Sequence, residues 1–304
     1  MSFKVYEDKN IKVEGLNFCF MKVLVTGANG RLARVLVPGL KGFKVVLSSR
    51  DAVETRRVYG AGFKVEEVDL ERVSVEGLKK LVKGVDVIVH TAGLVDFNAS
   101  RERLMSVNAG VAGKLAETGK PIVFISSVSV YDGKSGFYGE SKKKGEELVR
   151  RSGDYVILRV GMVYGDGFTQ GFKSVIGLIS KGLVFTLGDG GNHVPLVYYK
   201  DVVKTVRFVL KNFKRLKGGC FDVVFQPEPT QRECVETVAD LLNVKRKPLK
   251  VSLSLARFAG GLALKGDYVR MLSEDRVYAN TIKGLKLDYP LRKGLKEFLT
   301  SLKF

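Results

Sequence analysis

Short apolar runs rich in β-branched residues alternate with amphipathic segments over residues 21–160 of the chain. The apolar runs have the length of buried strands, and the segments between them repeat apolar residues at helical spacing. The predicted strands are residues 21–25, 44–47, 64–68, 85–90, 121–125 and 155–160. The predicted helices are residues 31–40, 52–59, 75–82, 101–117 and 139–151. Because such crossovers are right-handed in nearly all cases, this order predicts an α/β fold: a doubly wound parallel sheet with its site at the carboxyl ends of the strands.

The alternation loosens after Gly165, where glycine-rich turns at residues 165–167 and 188–191 interrupt it. A helix over 199–211 and a strand over 220–225 are predicted to return to the first sheet. Residues 1–20 precede the first strand and fit no part of the pattern. We therefore interpret them as an N-terminal extension.

The charge balance is strongly basic, with 51 Lys and Arg against 32 Asp and Glu and a formal net charge of +19 over 304 residues. Such a charge admits polyanionic ligands, among them nucleic acid, a phosphorylated cofactor and a nucleotide-linked substrate. The basic residues are spread along the chain and are not interleaved with aromatic residues, which argues against nucleic acid. A lysine-rich solvated surface is the simpler explanation of the excess.

Composition also excludes several other classes. Cys19, Cys220 and Cys234 are too scattered for a disulfide framework, and with two histidines, His90 and His193, we expect no metal site. No run approaches the roughly 18 apolar residues of a membrane helix, and the N-terminus has no secretory pattern. We expect a cytoplasmic protein that binds neither membrane nor nucleic acid.

A glycine-rich loop follows the first predicted strand, with the sequence TGANGRLA at residues 26–33. Gly27 permits a tight turn, Gly30 lets the backbone approach a pyrophosphate, and Ala33 lets the helix pack closely on the sheet. The free N–H groups at the start of that helix then face the anion. This strand–loop–helix context predicts a dinucleotide site.

The second strand of such a site selects the cofactor at its carboxyl end. Here the residues are Ser48, Ser49, Arg50 and Asp51. Arg50 favours the 2′-phosphate of NADP, whereas Asp51 keeps NAD open. Asp69 and Leu70 follow the third strand and are expected beside the adenine.

Tyr138 and Lys142 lie one helical turn apart, and Ser127 ends a hydrophobic strand shortly before them. Tyrosine has a pKa near 10, so it needs nearby positive charge to exchange a proton at neutral pH. Lys142 supplies such a charge, and the Ser127 hydroxyl can hydrogen-bond the reacting oxygen. This spacing predicts a Ser/Tyr/Lys catalytic set.

These motifs together resemble the extended short-chain dehydrogenase/reductase family, the NAD-dependent epimerase/dehydratase group. The similarity rests on the glycine loop and on VHTAG (89–93), VNAG (107–110), SSVSVY (126–131), YGESK (138–142) and LRVGMVYG (158–165). It continues through LVYYKDV (196–202), DRVY (275–278) and LDYPLRKGL (287–295), so that it covers residues 21–304.

The resemblance implies a Rossmann-type sheet with a smaller C-terminal substrate-binding lobe. It divides the chain into a dinucleotide-binding domain over 21–170, with returns near 196–225, and a substrate lobe made mainly of 171–195 and 226–304. It also implies roles for individual residues. Tyr138 is the expected acid/base, Lys142 binds ribose and activates the tyrosine, and Ser127 contacts the substrate oxygen. The expected cofactor contacts are Gly27, Asn29, Gly30, Arg31, Leu32, Arg50, Asp69, Leu70, Thr91, Ala92, Gly93, Asn108, Tyr138, Lys142, Gly161 and Val163.

The chain departs from the family pattern in three places. Val128 and Ser129 stand where dehydratases carry an acidic pair, which argues against sugar dehydration. Val160 replaces a proline, and only ten residues separate Ser127 from Tyr138, so a loop over the substrate is short. Ser127, Asn192, His193 and Tyr199 are the expected substrate contacts.

Three functions stay open at this point. The first is a nucleotide-sugar epimerase acting at C4, in which hydride moves to the cofactor, the ketone turns and the hydride returns. The second is an NADP(H)-dependent ketone reductase or alcohol dehydrogenase acting on a sugar, steroid-like or flavonoid-like substrate, which Arg50 supports. The third is a non-catalytic dinucleotide-binding subunit, against which the complete catalytic set argues. Each binds a small molecule, and a homodimer stays open.

Overall fold

The computed structural model of the protein describes residues 21–96, 98–131, 136–169, 172–252, 275 and 277–302. Residues 1–20 with Cys19, residues 253–274 of the predicted smaller lobe, and Arg276 of the closing motif lie outside the described residues.

The centre of the fold is a seven-stranded parallel sheet with the order β10-β6-β5-β4-β1-β2-β3. Its strands are β1 Lys22–Thr26, β2 Lys44–Ser49, β3 Lys64–Glu67, β4 Val87–His90, β5 Ile122–Ser127, β6 Tyr155–Val160 and β10 Gly219–Val223. The strand order reverses between β1 and β4, which opens a crevice at their carboxyl ends. The prediction of a doubly wound, Rossmann-type sheet is confirmed.

Helices cover both faces of this sheet. In chain order they are α1 Arg31–Gly39, α2 Ala52–Tyr59, α3 Val75–Leu81, α4 Arg101–Leu104, α5 Val111–Ala116, α6 Gly136–Val149, α7 Phe172–Ser180, α8 Tyr199–Lys211, α9 Phe213–Leu216, α10 Gln231–Leu241 and α11 Leu291–Leu302. A π-helical turn, Met105–Gly110, joins α4 to α5. Successive strand residues supply the two cores, because Val23 and Val25 pack on one face and Leu24 on the other.

Two short strand pairs lie beyond the main sheet. They are β7 Met162–Tyr164 with β9 Leu196–Tyr198, and β8 Phe185–Leu187 with β11 Leu249–Val251. The β7–β9 pair, α7, α10 and α11 enclose a third core around Tyr164, Ile179 and Phe298. The predicted return to the main sheet is seen in β10, which pairs with β6. The exact division into lobes stays a prediction.

Most predicted elements end within two residues of the observed ones. The exception is the helix predicted over 139–151, which in the structure begins three residues earlier. Helix α6 starts at Gly136, whose φ of 61° sets the entry of the chain. Tyr138 therefore lies inside the first turn of α6 and is not the residue before it. One turn of the same helix then separates it from Lys142.

None of the helices in the described part of the chain is long and apolar enough to cross a bilayer.

Gly145 allows α6 to lie directly on β5. A Cβ atom at this position would be 2.9 Å from the backbone oxygen of Asn108 and 2.9 Å from the Phe124 ring. The helix that carries Tyr138 and Lys142 can therefore pack this closely on the sheet only because Gly145 has no Cβ atom.

We therefore expect Gly145→Ala to destabilise the protein by about 1–3 kcal/mol, because the added methyl overpacks this contact. Thermal or urea unfolding measures the effect. Gly177 is the matched control, since it lies in α7 with nothing within 4 Å of an added Cβ. Gly177→Ala should leave stability unchanged or raise it by about 0.5–1 kcal/mol. Equal effects at both positions would contradict this account of α6.

Candidate active site

The glycine loop turns sharply between β1 and α1. Gly27 has a φ of 67°, and a Cβ there would be 2.7 Å from Cα of Ala92. Gly30 is the N-cap of α1 and has no side chain to cap the helix. The first N–H groups of α1 consequently face the crevice without a side-chain cap, as an anion-binding turn requires.

The side chains at the ends of β1 and β4 hold the crevice together. Thr26 Oγ1 lies 2.7 Å from Nδ1 of the buried His90, and Thr91 donates a hydrogen bond to the carbonyl of Thr26 at 2.6 Å. Burial lowers the pKa of His90 to about 3, so its ring is neutral at physiological pH.

A cavity of about 410 Å³ opens beside this crevice. The expected cofactor residues that line it are Gly27, Asn29, Gly30, Arg50, Asp69, Leu70, Thr91, Ala92 and Gly93. The wall also contains Ser48, Ser49 and Asp51, which the sequence places at the cofactor-selecting end of β2. Sequence reasoning missed the remaining lining residues, Val68, Glu71, Leu94, Arg103, Val107 and Val111. The shape and lining suit the adenosine half of a dinucleotide, and this first cavity is called the adenosine cavity below.

Arg50 and Asp51 differ in their availability at the edge of this cavity. The Asp51 carboxylate caps α2 by accepting a hydrogen bond from the Glu54 N–H at 2.8 Å. Arg50 is exposed, and the nearby Ser48 hydroxyl is buried with no hydrogen-bond partner in the structure. The Asp51 carboxylate is therefore engaged in capping α2, whereas the Arg50 guanidinium is accessible to a ligand.

A second cavity of about 540 Å³ continues from the first. The two share Gly30, Thr91, Gly93 and Leu94. The second brings together Arg31, Leu32, Asn108, Ser127, Tyr138, Lys142, Gly161, Val163 and His193, all of which sequence analysis placed in the site.

Tyr138, Ser127 and Lys142 meet at the wall of this second cavity. The Tyr138 hydroxyl hydrogen-bonds the Ser127 side chain, and burial raises the pKa of Tyr138 to about 12. Lys142 is 5% exposed, donates to the carbonyl of Ile125 at 2.6 Å and lies 4.3 Å above the Phe124 ring. Burial lowers the pKa of Lys142 to about 8, and the charge of Glu146 opposes that change. Lys142 therefore stays mainly protonated at neutral pH.

Glu146 supports Lys142 from the next turn of α6. Its buried carboxylate accepts hydrogen bonds from Ser126 at 2.7 Å and from two nitrogens of Arg159 at 2.9 and 2.7 Å. Sequence reasoning missed this group, although its spacing of four residues from Lys142 places it on the same helix face.

Asn108 lies in the cavity wall, but its side chain is satisfied within the protein. Its amide accepts from the Leu94 N–H at 2.8 Å and donates to the Leu94 carbonyl and to Ser141, both at 3.0 Å. It thereby fixes the loop after β4 against α6.

The three expected substrate contacts of the second half of the chain lie in different places. His193 lines the cavity, and its Nδ1 lies 2.7 Å from an Asp275 oxygen. Asn192 precedes it and is not among the lining residues. Tyr199 borders a separate cavity, where its ring lies 4.8 Å from that of Tyr198. Of these three, the structure therefore brings only His193 to the cavity of Ser127, Tyr138 and Lys142.

A nicotinamide dinucleotide fits this pair of cavities. At Gly93 an added Cβ would lie 3.1 Å from the Asn108 side chain and 3.9 Å from Nζ of Lys142, so a side chain there would crowd the passage between the cavities. Within the described ranges, no group of three His, Cys, Asp or Glu side chains is arranged to hold a metal ion.

Comparison with known proteins agrees with this geometry. The model of the "NAD dependent epimerase/dehydratase family" matches residues 23–223. The UDP-2-acetamido-2,6-beta-L-arabino-hexul-4-ose reductase of Pseudomonas aeruginosa is 28% identical over 273 residues, which are 84% of this chain and 66% of that protein. The ceramide reductase of Caulobacter vibrioides is 29% identical over 195 residues, 61% of this chain and 60% of that protein. This chain thus spans less than two thirds of the length of either relative.

Solved structures share the fold. UDP-glucuronic acid 4-epimerase from Bacillus cereus, in complex with UDP-glucuronic acid and NAD, matches with a TM-score of 0.66 and 19% identity over 93% of this chain and 99% of that one. A human epimerase family protein with NADPH matches with a TM-score of 0.68 and 19% identity over 92% and 99%. The family match covers most of the chain and includes the glycine loop and the catalytic set. The chain belongs to the NAD-dependent epimerase/dehydratase family.

Proposed function

We propose that this chain is an NAD(P)-dependent epimerase that acts at C4 of a nucleotide-linked sugar. The observation that carries the proposal is the meeting of Ser127, Tyr138 and Lys142 in a cavity that continues from one suited to the adenosine half of a dinucleotide. Family membership and the basic surface support the same activity.

The three side chains divide the proton chemistry among them. The Tyr138 hydroxyl exchanges a proton with the reacting hydroxyl of the substrate, and Ser127 holds the same oxygen by a hydrogen bond. Burial raises the pKa of Tyr138 to about 12, so it needs positive charge nearby to give up its proton. We assign that charge to Lys142, which lies one turn further along α6 in the wall of the same cavity. Gly93, Gly161 and Val163 in the cavity wall would hold a nicotinamide ring, which would supply or accept the hydride.

A net ketone reductase or alcohol dehydrogenase is the second candidate, and two observations favour it. Both curated relatives bear reductase names. The part of the cavity beyond the catalytic set is also largely apolar, with Val128, Met162, Phe168, Phe172 and Pro195 in its wall. An apolar wall suits a ketone with a hydrophobic body.

We further propose that NADP is the preferred cofactor. Arg50 is exposed at the rim of the adenosine cavity, whereas the Asp51 carboxylate is engaged in capping α2. A free guanidinium beside a buried hydroxyl favours a 2′-phosphate over a 2′-hydroxyl.

Tyr138→Phe should reduce turnover at least a thousandfold while cofactor affinity stays within about threefold, because only the proton-exchanging oxygen is lost. Steady-state assays and cofactor titration measure the two effects. Tyr155→Phe is the control, since this ring lies away from both cavities, against Arg150. Full activity in Tyr138→Phe would refute the catalytic assignment, and a wild type that binds cofactor without turning over any candidate substrate would favour the non-catalytic subunit.

Arg50→Ala should lower the affinity for NADPH by about tenfold or more and leave that for NADH nearly unchanged, because the 2′-phosphate loses a charge-assisted partner. Fluorescence titration with both nucleotides tests this. Arg56→Ala, on the exposed side of α2, should change neither affinity. An unchanged ratio of affinities in Arg50→Ala would remove the basis for an NADP preference.

Identification of the nucleotide that remains bound after purification separates the two candidate activities. An epimerase regenerates its cofactor, so we expect tightly held NAD(P) in the denatured enzyme and conversion of substrate without net change in nicotinamide absorbance. A protein purified without nucleotide that consumes NADPH stoichiometrically would instead establish the reductase.

A further inference from the structure

The adenosine cavity is lined by two arginines that come from opposite sides. Arg50 follows β2, whereas Arg103 belongs to the short helix α4. Arg103 is paired with Glu71, which follows β3 and lines the same cavity. The pair therefore joins two walls of the cavity that are 32 residues apart in the chain.

The Arg103–Glu71 contact has two parallel hydrogen bonds. Nη2 of Arg103 donates to Oε1 of Glu71 at 3.0 Å, and Nη1 donates to Oε2. Such a bidentate arrangement fixes the plane of the guanidinium more firmly than a single contact would. Arg103 is half exposed, so the two hydrogen bonds to Glu71, and not burial in a core, fix its position.

The backbone of Glu71 is itself anchored. Nζ of Lys114 donates to the carbonyl of Glu71 at 2.7 Å and to that of Val73 at 3.0 Å. The Glu71 N–H donates to the Asp69 carboxylate at 3.0 Å. Glu71 is therefore a rigid acceptor that holds Arg103 against the cavity beside Leu70, Val107 and Val111.

We propose that the Arg103–Glu71 pair is a cofactor-recognition element, in which Arg103 contacts the adenine-ribose end of the dinucleotide and Glu71 limits its attraction for a ribose phosphate. The inference rests on the proposed dinucleotide-dependent function. Arg50 is exposed and carries the preference for NADP, whereas the charge of Arg103 is balanced by a carboxylate 3.0 Å away. The ratio of the affinities for NADPH and NADH then depends on Arg50, Arg103 and Glu71 together.

Variants on the two sides of the pair have distinct expected effects under this proposal. Arg103→Ala should weaken binding of both NADPH and NADH by about three- to tenfold, because the cavity loses part of its wall. Glu71→Gln keeps the shape but removes the negative charge, so the affinity for NADPH relative to NADH should rise by about tenfold. That gain should fall as salt concentration is raised, since it is electrostatic.

The experiment is a fluorescence titration of the full chain with NADPH and with NADH at two ionic strengths. Arg101→Ala is the matched control: it lies on the same helix, pairs with Glu140 through hydrogen bonds of 2.9 and 3.1 Å, and does not line the cavity. It should bind both nucleotides as the wild type does. Unfolding midpoints of all variants report on whether the fold is retained.

Affinities of Arg103→Ala and Glu71→Gln within twofold of those of Arg101→Ala would overturn the inference while leaving the proposed function intact. A wild-type chain that binds neither nucleotide would overturn both. A rise in NADH affinity relative to NADPH in Glu71→Gln would likewise contradict the proposed role of Glu71.

Discussion

The buried carboxylate of Glu146 forms the contacts on which the arrangement of Ser127, Tyr138 and Lys142 depends. It joins α6 to β5 through Ser126 and to β6 through Arg159. A carboxylate in the interior is costly unless it is paired and hydrogen-bonded, and here it is both. The same charge opposes the effect of burial on Lys142. Glu146 thus both fixes the position of α6 and favours the protonated form of Lys142.

The sheet and its crevice were predictable from the sequence, because buried parallel strands are continuous apolar runs. A segment with helical spacing of apolar residues separates each run from the next. The glycine loop and the Ser/Tyr/Lys set were also predictable, since they are short motifs at defined places in that order. Thr26, Gly27 and Ser127 lie at strand ends, where the topology alone fixes their neighbours. The residues of these motifs come together at the two cavities.

Other parts of the site depend on side-chain choices that no local pattern reveals. Whether Asp51 binds a ribose or caps a helix depends on the orientation of one carboxylate, and the structure shows the cap. The pairing of Arg103 with Glu71 joins segments that no motif connects. Tyr199 follows a strand end as a substrate contact could, yet packing with Tyr198 directs it to another surface. Only the Arg103–Glu71 pairing is long-range; the other two cases involve residues close in the sequence, where the side-chain orientation decides between competing roles.

The contact between Thr26 and His90 spans 64 residues, and it lies where the two halves of the sheet meet. Because the crevice lies between β1 and β4, which are far apart in the chain but paired in the sheet, it exists only where this long-range pairing has formed. A ligand that binds there has no partial site in an incompletely folded chain. Its binding energy therefore adds to the stability of the folded state by mass action, so that occupancy of the crevice protects the pairing that forms it.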